Sequence, residues 1–167
     1  MTEDPPHALL SVSDKSGIGR LARGLDDLGY RIVSTGGTAE RISEEGVDVV
    51  PVAEITGVPE LFDGRVKTLH PKIHGGLLAR EGRAADRETR REQGIPRFDL
   101  VAANLYPFEE TVADGGVSLD EALETIDIGG PTLLRAAAKN HVSTLVLVDR
   151  DDYGPVLEAL RDGEVDR

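Results

Sequence analysis

The chain has 167 residues, 31 of them acidic against 19 basic, for a formal net charge of −12, so its mean field opposes non-specific binding to nucleic acid or an anionic membrane, and a phosphate-bearing ligand needs a local basic, amide-rich pocket. The absence of cysteine rules out disulfides and thiolate metal sites, and no apolar run approaches the roughly 20 residues needed to span a bilayer. The length fits one domain over residues 1–167, and the acidic start Met1-Thr-Glu-Asp-Pro-Pro6 lacks the charge pattern of a signal peptide, which points to a cytoplasmic protein.

Short apolar runs alternate with segments of helical period, the pattern of an α/β domain with a mainly parallel sheet of about five strands. Ala8-Leu-Leu-Ser-Val12 reads as the first strand. Ile18, Leu21, Ala22, Leu25 and Leu28 then recur at helical spacing until Gly29 stops the helix. Tyr30–Ser34 is a second strand, followed by Thr35-Gly-Gly-Thr38 and a short helix ended by Gly46. Val47–Val52 is a third strand. Residues 54–76 hold turn residues and no sustained period, which predicts a long loop that ends in a helix through Ile73–Ala79. Loops of that length in compact domains are usually binding loops or wrong assignments. The charged stretch Glu81–Gln93 reads as a solvated helix or an excursion. Phe98–Asn104 is a fourth strand, Leu119–Leu123 and Pro131–Ala138 are helices, Thr144–Val148 is a fifth strand, and Asp151–Leu160 closes the domain as a helix.

Arginine has displaced lysine almost everywhere, fifteen to four. A surviving lysine is therefore a candidate for chemistry that needs a titratable amine, which guanidinium does not supply. Lys15, Lys67, Lys72 and Lys139 all sit in or beside dense runs of functional-looking residues. The scarcity of lysine with abundant acid also matches proteins adapted to a high-salt cytoplasm, although a codon bias toward arginine accounts for half of it.

Ligands of a parallel sheet bind beyond the carboxyl ends of its strands. Ser11-Val-Ser-Asp-Lys15, Ser34–Thr38 and Asn104-Leu-Tyr-Pro107 leave the first, second and fourth strands there, while Lys139-Asn140 precedes the fifth. Thr35-Gly-Gly-Thr38 offers hydroxyls and open backbone amides to a phosphate, although a strand-to-helix turn requires glycine for steric reasons in any case. Ser13 and Lys15, with Arg65 and Lys67, strengthen the phosphate reading. His70 and His74 are four apart, but Pro71 disfavours helical geometry at His70, and no acidic third ligand is near, so no metal is expected. His7 and His141 read as packed or solvated. Asp127 precedes Gly129-Gly-Pro131 and suits a helix cap. Tyr106 reads as a rim aromatic beside Pro107.

Taken together, Ser11-Val-Ser-Asp-Lys15, Thr35-Gly-Gly-Thr38, Gly64-Arg-Val-Lys-Thr-Leu-His-Pro71, Asn104-Leu-Tyr-Pro-Phe108 and Ile126–Asn140 resemble the cyclohydrolase part of the bifunctional purine-biosynthesis protein that makes inosine monophosphate. The likeness runs from about Leu10 to Tyr153, with several long motifs in the right order. It implies a three-layer, methylglyoxal-synthase-like α/β fold and the closure of 5-formamidoimidazole-4-carboxamide ribonucleotide to inosine monophosphate and water, with no cofactor and no metal. It further implies that Ser13, Asp14, Lys15, Thr35, Gly36, Gly37 and Thr38 contact the nucleotide, and that Arg65, Val66, Lys67, Thr68, Ala103, Asn104, Asp127 and Ile128 complete the pocket. Lys67, Tyr106, Asp127 and Lys139 would be the catalytic set. The family's formyltransferase region would follow near the chain end, so the sequence reads as a free-standing cyclohydrolase or a shortened form, with a separate formyltransferase supplying substrate and a homodimer expected.

The carboxamide nitrogen is a feeble nucleophile and the formyl oxygen must leave as water, so both ends need proton traffic. Lys67 and Tyr106 are assigned to the carboxamide proton, Asp127 and Lys139 to the departing oxygen. A straight helix over Pro131–Ala138 would part Asp127 from Lys139 by roughly 12 Å or more. The two meet only if their side chains converge, the helix is short, or Lys139 comes from a neighbouring subunit. Two alternatives remain: a methylglyoxal-synthase-like lyase, and a non-catalytic nucleotide-sensing module that would need the phosphate loops but not Lys67 or Lys139.

Overall fold

The computed structural model describes residues 5–113 and 116–165; the acidic start, residues 1–4, lies outside them. Among the described residues, five strands make one sheet: β1 His7–Ser11, β2 Arg31–Ser34, β3 Val49–Pro51, β4 Phe98–Ala103 and β5 Leu145–Leu147. Their order is β3-β2-β1-β4-β5, and every neighbouring pair is parallel. The helices are α1 Ile18–Asp27, α2 Gly36–Ser43, α3 Val52–Thr56, α4 Pro71–Leu78, α5 Ala84–Glu92, α6 Phe108–Ala113, α7 Leu119–Glu124, α8 Gly129–Lys139 and α9 Tyr153–Asp162.

Alternation along the strands sorts the core into two layers. Ala8 and Leu10 of β1 face one way, onto Ile18, Leu21 and Leu25 of α1, Ile42 of α2 and Leu157 of α9. Leu9 faces the other, with Val52 of α3, Ile73 and Leu77 of α4 and Leu133 and Ala137 of α8. The result is the three-layer α/β architecture expected from the sequence. All six residues of β4 are buried, as a strand covered on both faces requires. Its one acid, Asp99, is met by Arg97 at 2.7 Å and by the His7 amide at 3.3 Å. His7 itself is packed, edge-on to Phe98, whereas His141 is exposed.

Several boundaries depart from expectation. The third strand is short because the chain turns into α3 directly after Pro51, which has no amide hydrogen for a ladder. Helix α4 begins at Pro71, inside the segment expected as loop. Proline suits a first helical position, and His70, held extended before it, caps the helix by accepting the Lys72 N–H on Nδ1 at 3.1 Å. Helix α6 is not among the expected elements; it buries no residue and so carries no apolar stripe, whereas α7, expected over Leu119–Leu123, is present although it too buries none. α5 buries none either and is the solvated alternative.

The chain winds from β1 to β2 and β3, then crosses to β4 and β5 on the other side. The winding direction therefore reverses between β1 and β4, the kind of switch point beyond whose carboxyl ends doubly wound sheets bind ligands.

Candidate functional site

A cavity of about 630 Å³ opens at that carboxyl edge, within the range of small-molecule pockets. It is lined by Ser13 and Lys15 after β1, by Thr35, Gly36, Gly37 and Thr38 after β2, by Asn104 and Tyr106 after β4, by Arg65, Lys67 and Thr68 of the long loop, and by Asp127 and Ile128 before α8. Thirteen of the seventeen expected site residues are thus brought together by five separate stretches of chain.

The β1 loop is clamped by Asn104. Its Oδ1 accepts the Ser13 and Asp14 N–H groups at 2.6 and 3.0 Å, and its Nδ2 donates to the Asp14 carbonyl at 3.2 Å. Thr38 ties the start of α2 to the same loop, its hydroxyl donating to the Val12 carbonyl at 3.0 Å. Lys15 lies over the opening of α2: a Cβ built on Gly37 would stand 3.2 Å from its Cε and 3.7 Å from its Nζ. An ammonium above open helix amides is an anion site by both charge and hydrogen bonding.

On the other flank, Leu61 and Val66 bridge across a tight turn in which Phe62 and Asp63 have φ of 55° and 54° and Gly64 has +87°. The turn presents Arg65 and Lys67. Arg65 pairs with Glu124 of α7, and Lys67 Nζ with Glu60 Oε2 at 3.0 Å. The lysine threads between two glycines, since a Cβ on Gly36 would stand 2.9 Å from its Nζ and one on Gly64 2.7 Å from its Cε. Beyond it, Asp127 Oδ1 accepts the Gly130 N–H at 2.9 Å, so Asp127 both caps α8 and lines the cavity. Tyr106 stands at the rim, 56% exposed.

Four expected site residues do not line the cavity. The Asp14 side chain turns outward, accepting the Ser16 N–H at 2.9 Å and pairing with Arg150 at 3.2 Å; the Ser16 hydrogen bonds, chiefly, hold its carboxyl below the ordinary range. Val66 is taken up in the bridge to Leu61, and Ala103 is buried in β4. Lys139 ends α8, about 15 Å from Gly129 at 1.5 Å of rise per residue. Next to it, Asn140 donates to the carbonyls of Leu77 and Ala79 at 2.9 Å each, where α4 ends. Asp127, just before α8, and Lys139, at its end, thus lie at opposite ends of that helix. Conversely, Asp63, Leu69, Leu123, Glu124 and Ile126 line the cavity, and Glu60 holds Lys67, none of which sequence reading picked out. They lie in coil and short exposed helices, where no periodicity marks a facing side.

The model of the MGS-like domain matches residues 17–132. The chain is 54% identical over 161 residues to the bifunctional purine biosynthesis protein PurH of Magnetococcus marinus, covering 95% of this chain and 30% of that protein. It is 56% identical over 153 residues to PurH of Acidithiobacillus ferrooxidans, covering 92% and 29%, so the chain spans under a third of the length of these curated relatives. Among solved structures, the crystal structure of ForH superposes with a TM-score of 0.83 at 42% identity, covering 95% of this chain and 80% of that one. Among the described residues no helix is long and apolar enough to cross a membrane.

Proposed function

The chain belongs to the family of MGS-like domains, and from that premise we propose that it acts in purine biosynthesis as an inosine monophosphate cyclohydrolase, closing 5-formamidoimidazole-4-carboxamide ribonucleotide to inosine monophosphate and water. The observation that carries the reading is that one cavity holds an anion grip on one flank, Lys15 over the α2 amides, and an amine and a carboxylate, Lys67 and Asp127, on the other. That is what a phosphorylated substrate with a polar reaction at its far end requires. The length of PurH-like sequence matched supports it, being the amino-terminal part that the resemblance assigns to ring closure.

The reaction is intramolecular, so holding the carboxamide against the formyl carbon supplies much of the acceleration. Lys15, Ser13 and the Gly37 and Thr38 amides fix the phosphate. Lys67 and Tyr106 manage the proton leaving the attacking carboxamide nitrogen as the carbon–nitrogen bond forms. Asp127 faces the former formyl carbon and helps discharge its oxygen as water. Lys139 can join that step only from a second copy of the chain, and a homodimer with shared sites is part of this proposal, as is a separate formyltransferase that supplies the substrate. No cofactor enters the scheme.

The test is to add the formamido nucleotide to the protein and follow the absorbance of the closed purine. Ring closure supports the reading. Binding without turnover would favour a nucleotide-sensing module, and release of methylglyoxal from dihydroxyacetone phosphate would favour the lyase.

A further inference from the structure

Lys67 separates two cavities. It lines the large one together with Thr35 and Gly36, and the same three residues line a second cavity of about 90 Å³ behind them. Glu60 belongs to the small cavity alone. Its carboxylate spans two partners: Oε1 accepts the Thr35 hydroxyl at 2.6 Å, and Oε2 meets Lys67 Nζ at 3.0 Å. The ammonium is thereby drawn against the backbone of Gly36 and Gly64, where neither position has room for a Cβ. The Thr35 hydroxyl first, then Lys67 and the Gly36 amide, hold the Glu60 carboxyl below the ordinary carboxylate range.

We infer that Glu60 is a positioning residue: it anchors the Lys67 amine at the partition between the two cavities, and it engages the Thr35 side of the α2 turn so that the turn's share of the anion grip falls to the Gly37 and Thr38 amides. This rests on the proposed function in so far as Lys67 works on the substrate. The consequence is a division of the turn. Its first hydroxyl serves an internal carboxylate, and its later amides, beneath Lys15, serve the phosphate. Glu60 itself touches no substrate, being screened from the large cavity by Lys67.

Loss of this anchor lets the flexible lysine stem wander by an ångström or more, a misplacement that reduces turnover by about 100-fold in well-ordered sites while leaving remote binding groups intact. Glu60→Gln is isosteric at a half-exposed position, so the fold persists. Its expected effect on ring closure of the formamido nucleotide is a fall in kcat with KM nearly unchanged. Because the residue acts through Lys67, the Glu60→Gln/Lys67→Ala pair should be no slower than Lys67→Ala alone. Losses that multiply, or a Glu60→Gln variant with the wild-type kcat, would overturn the assignment. A second readout stands apart from activity. With only four lysines, reductive methylation with ¹³C-formaldehyde gives four resolvable side-chain resonances, and Glu60→Gln should move that of Lys67 and leave those of Lys72 and Lys139 in place. An unmoved Lys67 signal rejects the positioning role even if the wild type closes the ring. A moved signal in a protein inert toward the nucleotide upholds the anchor and rejects only the proposed reaction.

Discussion

Replacing Gly64 with alanine separates the two things this glycine does. Its φ of +87° is unfavourable for any side chain, which costs about 1–2 kcal/mol and lowers the melting temperature of a domain this size by roughly 2–8 °C. The new Cβ would also stand 2.7 Å from Lys67 Cε, against about 3.5 Å or more for an ordinary carbon–carbon contact. The neighbour is the far end of a flexible stem, so it yields cheaply, and little further stability is lost. The ammonium must however move by about 0.8 Å, and displacements near 1 Å at a reacting group reduce rates by up to about 100-fold, roughly 2–3 kcal/mol of barrier. The assay is kcat for ring closure at saturating nucleotide, beside a thermal melt of the same preparation. A kcat within about threefold of wild type, under ~0.7 kcal/mol of barrier, would show that the ammonium's position does not govern the chemistry.

Gly76→Ala should do the opposite: its Cβ would stand 2.4 Å from the Pro96 carbonyl and 2.6 Å from the Phe98 ring, neither of which can swing away. Overpacking of this kind costs about 1–3 kcal/mol or more, read as a lower melting temperature with kcat of the folded fraction unchanged; an unshifted melt would contradict the packing. Lys15→Ala should raise KM by about 10- to 100-fold, the value of a charge-assisted contact, and leave kcat nearly intact, because the phosphate is held alike in ground and transition states. A large fall in kcat at constant KM would remove Lys15 from the grip. Asp86, hydrogen-bonded by Arg80, has its carboxyl lowered from 3.8 to about 2. A depressed folded value means that its stabilisation is present above the unfolded value and is lost as pH falls through that interval. Asp86→Asn should therefore flatten the stability curve between about pH 4 and pH 2; urea melts of equal pH dependence in both proteins would reject the pairing.

How far the sequence speaks for the structure follows from what each segment buries. The parallel sheet was legible because β1 and β4 are short, mostly apolar runs, and α1 because its buried residues recur at helical spacing. The carboxyl-edge cavity followed from the parallel sheet and the loop motifs at its strand ends. Helix α7 was legible over Leu119–Leu123 although Leu119 is 75% exposed, whereas α6 buries nothing, so its apolar residues form no readable pattern. Glu60 was invisible for a related reason: its pairing with Lys67 depends on the turn at residues 61–66, where two successive non-glycine residues adopt positive φ. The spread between Asp127 and Lys139, in contrast, was legible from helical rise alone, and the structure bears it out, with α8 running from Gly129 to Lys139 between them.

The central claim is that this cavity closes the purine ring with a titratable amine at Lys67, and turnover of the formamido nucleotide by the wild type and by Lys67→Arg, side by side at saturating substrate, tests it most directly. The account predicts steady formation of the closed purine by the wild type and a rate for Lys67→Arg nearly as low as for Lys67→Ala, because guanidinium keeps its proton near neutral pH. An inert wild type would contradict the proposed function, and an arginine variant retaining most of the wild-type rate would contradict the amine.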